Sequence, residues 1–213
     1  REQVEQRLGR MGVPAIAGVD HRRRNLFGDH VRCARLVVAH DDEIGAQGLQ
    51  RALKAHIPSV YLPWKQRIEA ENKLTKLLTI FEIELVVLAG WMRIFTPEFS
   101  RQYPRRIINL HPALLPDSGQ GESYTTSNGT VIPVFRGLHV VEAALEAGIK
   151  ITGSTVHYVI PEVDAGPAIS HAEVPILPED NADTLHERIK QAEHRLIVEA
   201  VRQHQRTVTE ANQ

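Results

Sequence analysis

Leu85-Val86-Val87-Leu88-Ala89-Gly90 is a continuous apolar run closed by glycine. It is rich in β-branched residues and too short for a buried helix, so it predicts a strand buried on both faces. Immediately upstream, Lys65 to Phe81 carries Leu74, Leu77 and Leu78 at helical spacing. Further back come a short strand at Val60-Tyr61-Leu62, a helix over Gln47 to His56 and a strand at Leu36-Val37-Val38-Ala39. Downstream, Thr96-Pro97 pairs a capping residue with proline at the first helical position and predicts a short helix to Tyr103. Strands at Ile107 to Leu110, Ile151 to Val159 and Ala168 to Val174 follow, with a helix over Leu138 to Ala147 and a long one over Asp183 to His204. This alternation predicts an α/β fold: a mostly parallel twisted sheet with helices on both faces. In such sheets ligands bind beyond the carboxyl ends of strands. The residues just after Ala89, Leu110 and Val159 therefore come first as functional candidates.

The 213 residues, 42% hydrophobic and 24% charged, have the profile of an ordinary globular protein and suit a single domain over residues 1–213. A formal net charge of −1 gives no electrostatic case for nucleic acid or an anionic membrane. The one cysteine, Cys33, excludes an internal disulfide framework and fits a reducing, cytoplasmic setting. No apolar run approaches a membrane span, and no signal-peptide pattern is present. One segment breaks the alternation. Residues 117–134 are rich in Gly, Ser, Thr and Asn, and Asn128-Gly129 lies between two β-prone runs, the signature of an inserted hairpin. It reads as a solvent-exposed insertion or, leaving as it does from His111-Pro112, as a flap over a site.

Asn109 and His111 lie two apart at a strand end, so both side chains point to one side of the sheet. An amide and an imidazole side by side suit a developing oxyanion. An isolated Asn-x-His is more often a cap and a buried structural histidine. Asp164, in Val163-Asp164-Ala165-Gly166-Pro167, is by itself an ordinary turn residue. Beside His111, its carboxylate would hold the imidazole and raise its pKa. Other clusters point less far. Asp41-Asp42-Glu43 reads as an exposed acidic loop, and Arg22-Arg23-Arg24 as a solvated one that could meet phosphate. None of the histidines has zinc-ligand spacing, so no metal is expected. No serine or cysteine sits in a nucleophile arrangement.

Taken together, four motifs in order resemble the glycinamide ribonucleotide formyltransferase family. They are Leu88-Ala89-Gly90-Trp91-Met92-Arg93-Ile94, Ile108 to Pro116 with Asn109-Leu110-His111-Pro112, Gly153-Ser154-Thr155-Val156-His157, and Val163 to Pro167. Glu193-His194 also matches, and the resemblance runs from about Arg35 to Val201. It implies a Rossmann-like formyltransferase fold. It also implies transfer of a formyl group from the co-substrate 10-formyltetrahydrofolate to the amine of glycinamide ribonucleotide in purine synthesis. Both partners are small molecules; no nucleic acid and no membrane are implied. By the same resemblance His111 is the general acid, Asn109 binds the formyl oxygen, and Asp164 raises the pKa of His111. Met92, Arg93, Ile94 and Phe95 cradle the pterin, Arg67 associates with the folate, and Lys190 and Glu193 lie near the ribonucleotide.

The chain departs from the family in two places. The insertion separates Leu115-Pro116 from Phe135-Arg136-Gly137, which are normally close in sequence. The family's glycine-rich phosphate loop also has no counterpart in residues 1–30. The nearest match, Gly18 to Leu26, lacks the glycines that let backbone amides approach an anion. Either that loop lies upstream of Arg1, or it is lost and arginines stand in, with weak ribonucleotide binding expected. Formyltetrahydrofolate deformylases share the Asn-x-His and aspartate arrangement, but usually carry His-His-Ser after the asparagine. Methionyl-tRNA formyltransferases carry an RNA-binding domain, for which the net charge is wrong. A non-catalytic folate-binding relative is the reading from a different class.

Overall fold

A computed structural model describes residues 15–17, 36–39 and 47–211. The expectations for the phosphate loop, Arg22 to Arg24, Cys33 and Asp41 to Glu43 lie outside the described residues. The chain forms two compact units, Arg1–Ile107 and Ile108–Gln213.

In the first unit the elements are β1 (Ala15–Ala17), β2 (Val37–Ala39), α1 (Gln47–Lys54), β3 (Ser59–Tyr61), α2 (Arg67–Ile80), β4 (Val86–Ala89) and α3 (Pro97–Gln102). Strands β2 and β3 pair in parallel, and β1 pairs antiparallel with both β2 and β4. Every residue of β2 is buried, as are Val86 to Leu88 of β4. Helix α2 turns Ala70, Glu71, Leu74 and Leu78 inward. The cap at Thr96 has the geometry its sequence demands. Its hydroxyl accepts from the Phe99 amide at 3.1 Å and Pro97 occupies the first helical position. The buried Glu71 carboxylate accepts from the Thr96 amide and hydroxyl, both at 2.7 Å, and so ties α2 to the start of α3. A buried charge needs such partners to be tolerated.

In the second unit the elements are β5 (Ile107–His111), β6 (Ser123–Thr125), β7 (Val131–Pro133), α4 (Val140–Glu146), β8 (Ile151–Tyr158), β9 (Ala168–Pro175) and α5 (Ala182–Ala211). Strand β8 pairs antiparallel with β5 on one side and β9 on the other. The expectation of a mostly parallel sheet is corrected here: among the described pairings only β2–β3 is parallel. Strands β8 and β9 are joined by residues 159–167 alone, and a parallel connection needs a longer crossover. Strands β6 and β7 form a separate hairpin around Asn128-Gly129. Helix α5 opens with a reciprocal cap, in which Asn181 and Thr184 exchange bonds of 2.9 and 3.0 Å. It packs Leu185 and Ile189 against Ala113, Val140, Val141 and Val174. That core backs the end of β5, where the polar residues gather.

Candidate active site

The end of β5 carries Asn109 and His111, and the register with β8 sets Asn109 opposite His157 and His111 opposite Thr155. The connection from β8 to β9 then returns Asp164 to the same place. His111 Nδ1 lies 3.4 Å from Asp164 Oδ2, and His157 Nε2 lies 3.5 Å from Asp164 Oδ1. Asn109 Nδ2 is 3.3 Å from His157 Nε2. His157 was not singled out from sequence; only the β5–β8 register reveals it as the cross-strand partner of Asn109. The β8–β9 register slips between Val156 and His157, a bulge of the kind that re-aims a side chain beside a site. Thr155 braces the segment behind it, donating to the Ala113 carbonyl at 2.8 Å and accepting from the Leu115 amide at 3.0 Å.

His157 Nδ1 lies 3.0 Å from the Tyr158 carbonyl, so that nitrogen carries a proton. In the neutral ring Nε2 then accepts from Asn109; only the cation can donate to Asp164. His111 faces acceptors at both nitrogens, Asp164 at Nδ1 and the Phe135 carbonyl at Nε2, 2.9 Å away. These partners favour the charged ring. Burial opposes them: His111 is only 3% exposed. Desolvation is the largest influence and holds the His111 pKa below its ordinary value, although Asp164 and the Phe135 carbonyl push it up. The expected upward push from Asp164 is therefore present but outweighed. For Asp164, burial pushes upward. The hydrogen bond with His157, the charge of His111 and the Gly137 amide at 2.8 Å outweigh it, and the carboxyl sits below its ordinary value.

Behind β5, Ser154 donates to the His111 carbonyl at 2.7 Å and lies 3.2 Å from Glu193 Oε1. One hydroxyl proton serves one acceptor. Burial pushes the Glu193 carboxyl up, toward the protonated state that can donate back to Ser154. Lys190, one turn earlier on α5, sits 3.6 Å from Glu187. Among the described residues, no group of three or more His, Cys, Asp or Glu is placed to hold a metal ion. No helix among them is long and apolar enough to cross a membrane.

In the first unit the segment after β4 is built on a row of rings. Centroids are 4.9 Å apart for Trp64–Trp91, 5.4 Å for Trp91–Phe95 and 4.6 Å for Phe95–Phe99. The Phe95 ring is committed to this row and is buried, so its side chain anchors the segment rather than lining a surface cradle. Met92 and Ile94 stand 60% and 59% exposed, and Arg67 Nη1 donates to the Ile94 carbonyl at 3.4 Å.

These features define an α/β protein with a buried carboxylate–imidazole pair at a strand end. Residues 22–125 and 127–201 match the formyl transferase family model, and the chain belongs to that family. It is 32% identical over 166 residues to the phosphoribosylglycinamide formyltransferase of Haemophilus influenzae, covering 76% of this chain and 70% of that protein. It is 37% identical over 197 residues to the trifunctional purine biosynthetic protein adenosine-3 of Drosophila melanogaster, 91% of this chain but only 13% of that protein's length. Among solved structures, glycinamide ribonucleotide transformylase 1 of Symbiobacterium toebii superposes with a TM-score of 0.65 at 35% identity, covering 78% of this chain and 71% of that one. The Rossmann-like formyltransferase fold implied by the sequence motifs is thus the fold of its relatives.

Proposed function

We propose that this chain transfers the formyl group of 10-formyltetrahydrofolate to the amine of glycinamide ribonucleotide, as a cytoplasmic step of purine synthesis. One observation carries the reading: in a member of this family, Asn109, His111 and Asp164 gather at one strand end with an imidazole held between two acceptors. Attack of an amine on a formyl carbon develops negative charge on the formyl oxygen. The Asn109 amide has two hydrogens; one is directed at His157, and the other serves that oxygen. In its charged form His111 holds one proton at Nδ1 toward Asp164, and the proton it supplies is the one at Nε2, the nitrogen that faces the Phe135 carbonyl. Asp164 fixes the ring and stabilises its charged form against burial.

The segment after β4 fits a flat heteroaromatic ring. Met92 and Ile94 present apolar side chains, Phe95 anchors them, and Arg67 and Arg93 supply exposed cations suited to the ligand's carboxylates. Lys190 and Glu193 are the α5 positions assigned to the ribonucleotide. The test is formyl transfer to glycinamide ribonucleotide by the whole chain and by His111→Ala. We expect turnover by the former and a loss on the order of 10²–10⁴-fold in the latter. Equal turnover by both would overturn the role given to His111, and no turnover by either would overturn the reaction.

A further inference from the structure

We propose that Arg136 is a positioning residue for Asp164: its guanidinium joins the Asp164 carbonyl to the base of the 117–134 hairpin and thereby sets the carboxylate against His111. The inference rests on the reading of His111 and Asp164 given above.

Asp164 has φ +49, a left-handed backbone that is unfavourable for any residue with a Cβ. Such a conformation persists only where its surroundings hold it. Two adjacent residues do so from opposite ends. The Gly137 amide donates to Asp164 Oδ2 at 2.8 Å, and Arg136 Nε donates to the Asp164 carbonyl at 3.1 Å. The same guanidinium reaches back to the hairpin base, where Nη2 donates to the carbonyls of Gly119 at 3.0 Å and Gly121 at 2.8 Å. One planar fork thus binds three carbonyls in fixed directions, which a lysine ammonium on a flexible stem does not reproduce.

The hairpin base is pressed onto the aspartate loop at further points. Gln120 Nε2 donates to the Ala165 carbonyl at 3.0 Å, and the Ala168 amide donates to the Asp117 carbonyl at 2.9 Å. At Gly119, φ is +76 and a Cβ would fall 2.2 Å from the Ala165 carbonyl oxygen, so only glycine permits this approach. The far end of the hairpin is tied down as well, since Glu173 accepts from the Ser127 amide and hydroxyl at 2.6 and 2.7 Å. The insertion is therefore a brace. Arg136 links it to the backbone of Asp164 itself.

Arg136 also carries a charge, which by itself pushes the His111 pKa down, as does His157, while Asp164 pushes it up. Arg136→Lys keeps the charge and loses the fork, whereas Arg136→Met loses both. The test follows the His111 imidazole by NMR titration of the full chain, alongside formyl-transfer kinetics and thermal melting. If Arg136 positions Asp164, Arg136→Lys lowers the His111 titration midpoint and cuts kcat by about tenfold. KM for both substrates should hold within about twofold, and Arg136→Met should cut kcat at least as far. A purely structural residue would lower the melting temperature of Arg136→Lys while its titration midpoint and kcat stay at wild type, which overturns the proposal. A purely electrostatic role would leave Arg136→Lys unchanged and raise the midpoint in Arg136→Met, which overturns it too. Asp164→Asn separates this inference from its basis. If that variant keeps wild-type turnover, the reading of Asp164 falls and this one with it. If it is crippled while Arg136→Lys is not, only the present inference falls.

Discussion

The turn after β4 and the turn after β8 both end strands, yet they are made of opposite materials. After β4 the chain is held by rings: Trp91, Phe95 and Phe99 stack in sequence, and exposed Met92 and Ile94 ride on the buried ones. After β8 it is held by polar contacts around one carboxylate, a hydrogen bond from the Gly137 amide and the His111 and His157 rings at 3.4 and 3.5 Å, with an arginine on its carbonyl. Apolar contact is non-directional and scales with area, so the first turn stores stability and tolerates changes of shape. Hydrogen bonds among buried polar groups are directional, and losing one partner exposes the whole cost of the other. The second turn therefore holds geometry, which is what chemistry needs.

The comparison breaks most readily at Phe95. Phe95→Ala should cost about 3–5 kcal/mol of stability, because it empties the middle of the ring row. Turnover per folded molecule should change much less. A denaturant titration showing a loss below about 1 kcal/mol would mean that the row is not the anchor. Asn109→Ala should do the reverse. Losing one donor to a developing oxyanion typically costs on the order of 10²–10³ in rate. Its effect on stability should stay within about 1 kcal/mol, since Asp164 remains beside His157. A melting temperature that collapses with the rate would blur the distinction between the two turns.

The smallest effect is on pH-dependent stability. Burial depresses the folded-state pKa of His111, so below about pH 6.5 the unfolded chain binds the proton more readily than the folded one. Stability from this group is complete above that pH and is lost as pH falls toward the depressed folded value. Asp164, also depressed, adds a similar loss at lower pH, beginning near the ordinary carboxylate range. Melting followed from about pH 7 to about pH 5 should therefore fall more steeply for wild type than for His111→Gln. Parallel curves would show that His111 does not titrate differently in the two states.

Local signals were the ones legible in sequence. The run ending at Ala89 became β4, and Thr96-Pro97 became the cap and first residue of α3, because each depends on neighbours within a few positions. The last helix extends to Ala211, beyond the His204 at which its apolar stripe ends. Backbone hydrogen bonding needs no apolar face, and in these last turns the Thr207 hydroxyl also donates to the Gln203 carbonyl at 3.1 Å. Sheet direction was misread where it hung on connection length. Residues 159–167 turn β8 directly into an antiparallel β9, and alternation of elements alone does not reveal that.

The order of strands and helices from Leu36 onward, the buried runs and the pairing of Asn109 with His111 on one side of a strand were determined by sequence alone, because periodicity and capping are properties of adjacent residues, whereas β1 at Ala15–Ala17 was not read from it. The partners of that pair were decided by tertiary structure. Register set His157 across from Asn109, a left-handed aspartate brought a carboxylate back to His111, and burial outweighed that carboxylate in setting the ring's pKa. Each depends on residues dozens of positions apart and on how much water the fold excludes between them, and no local pattern records either quantity.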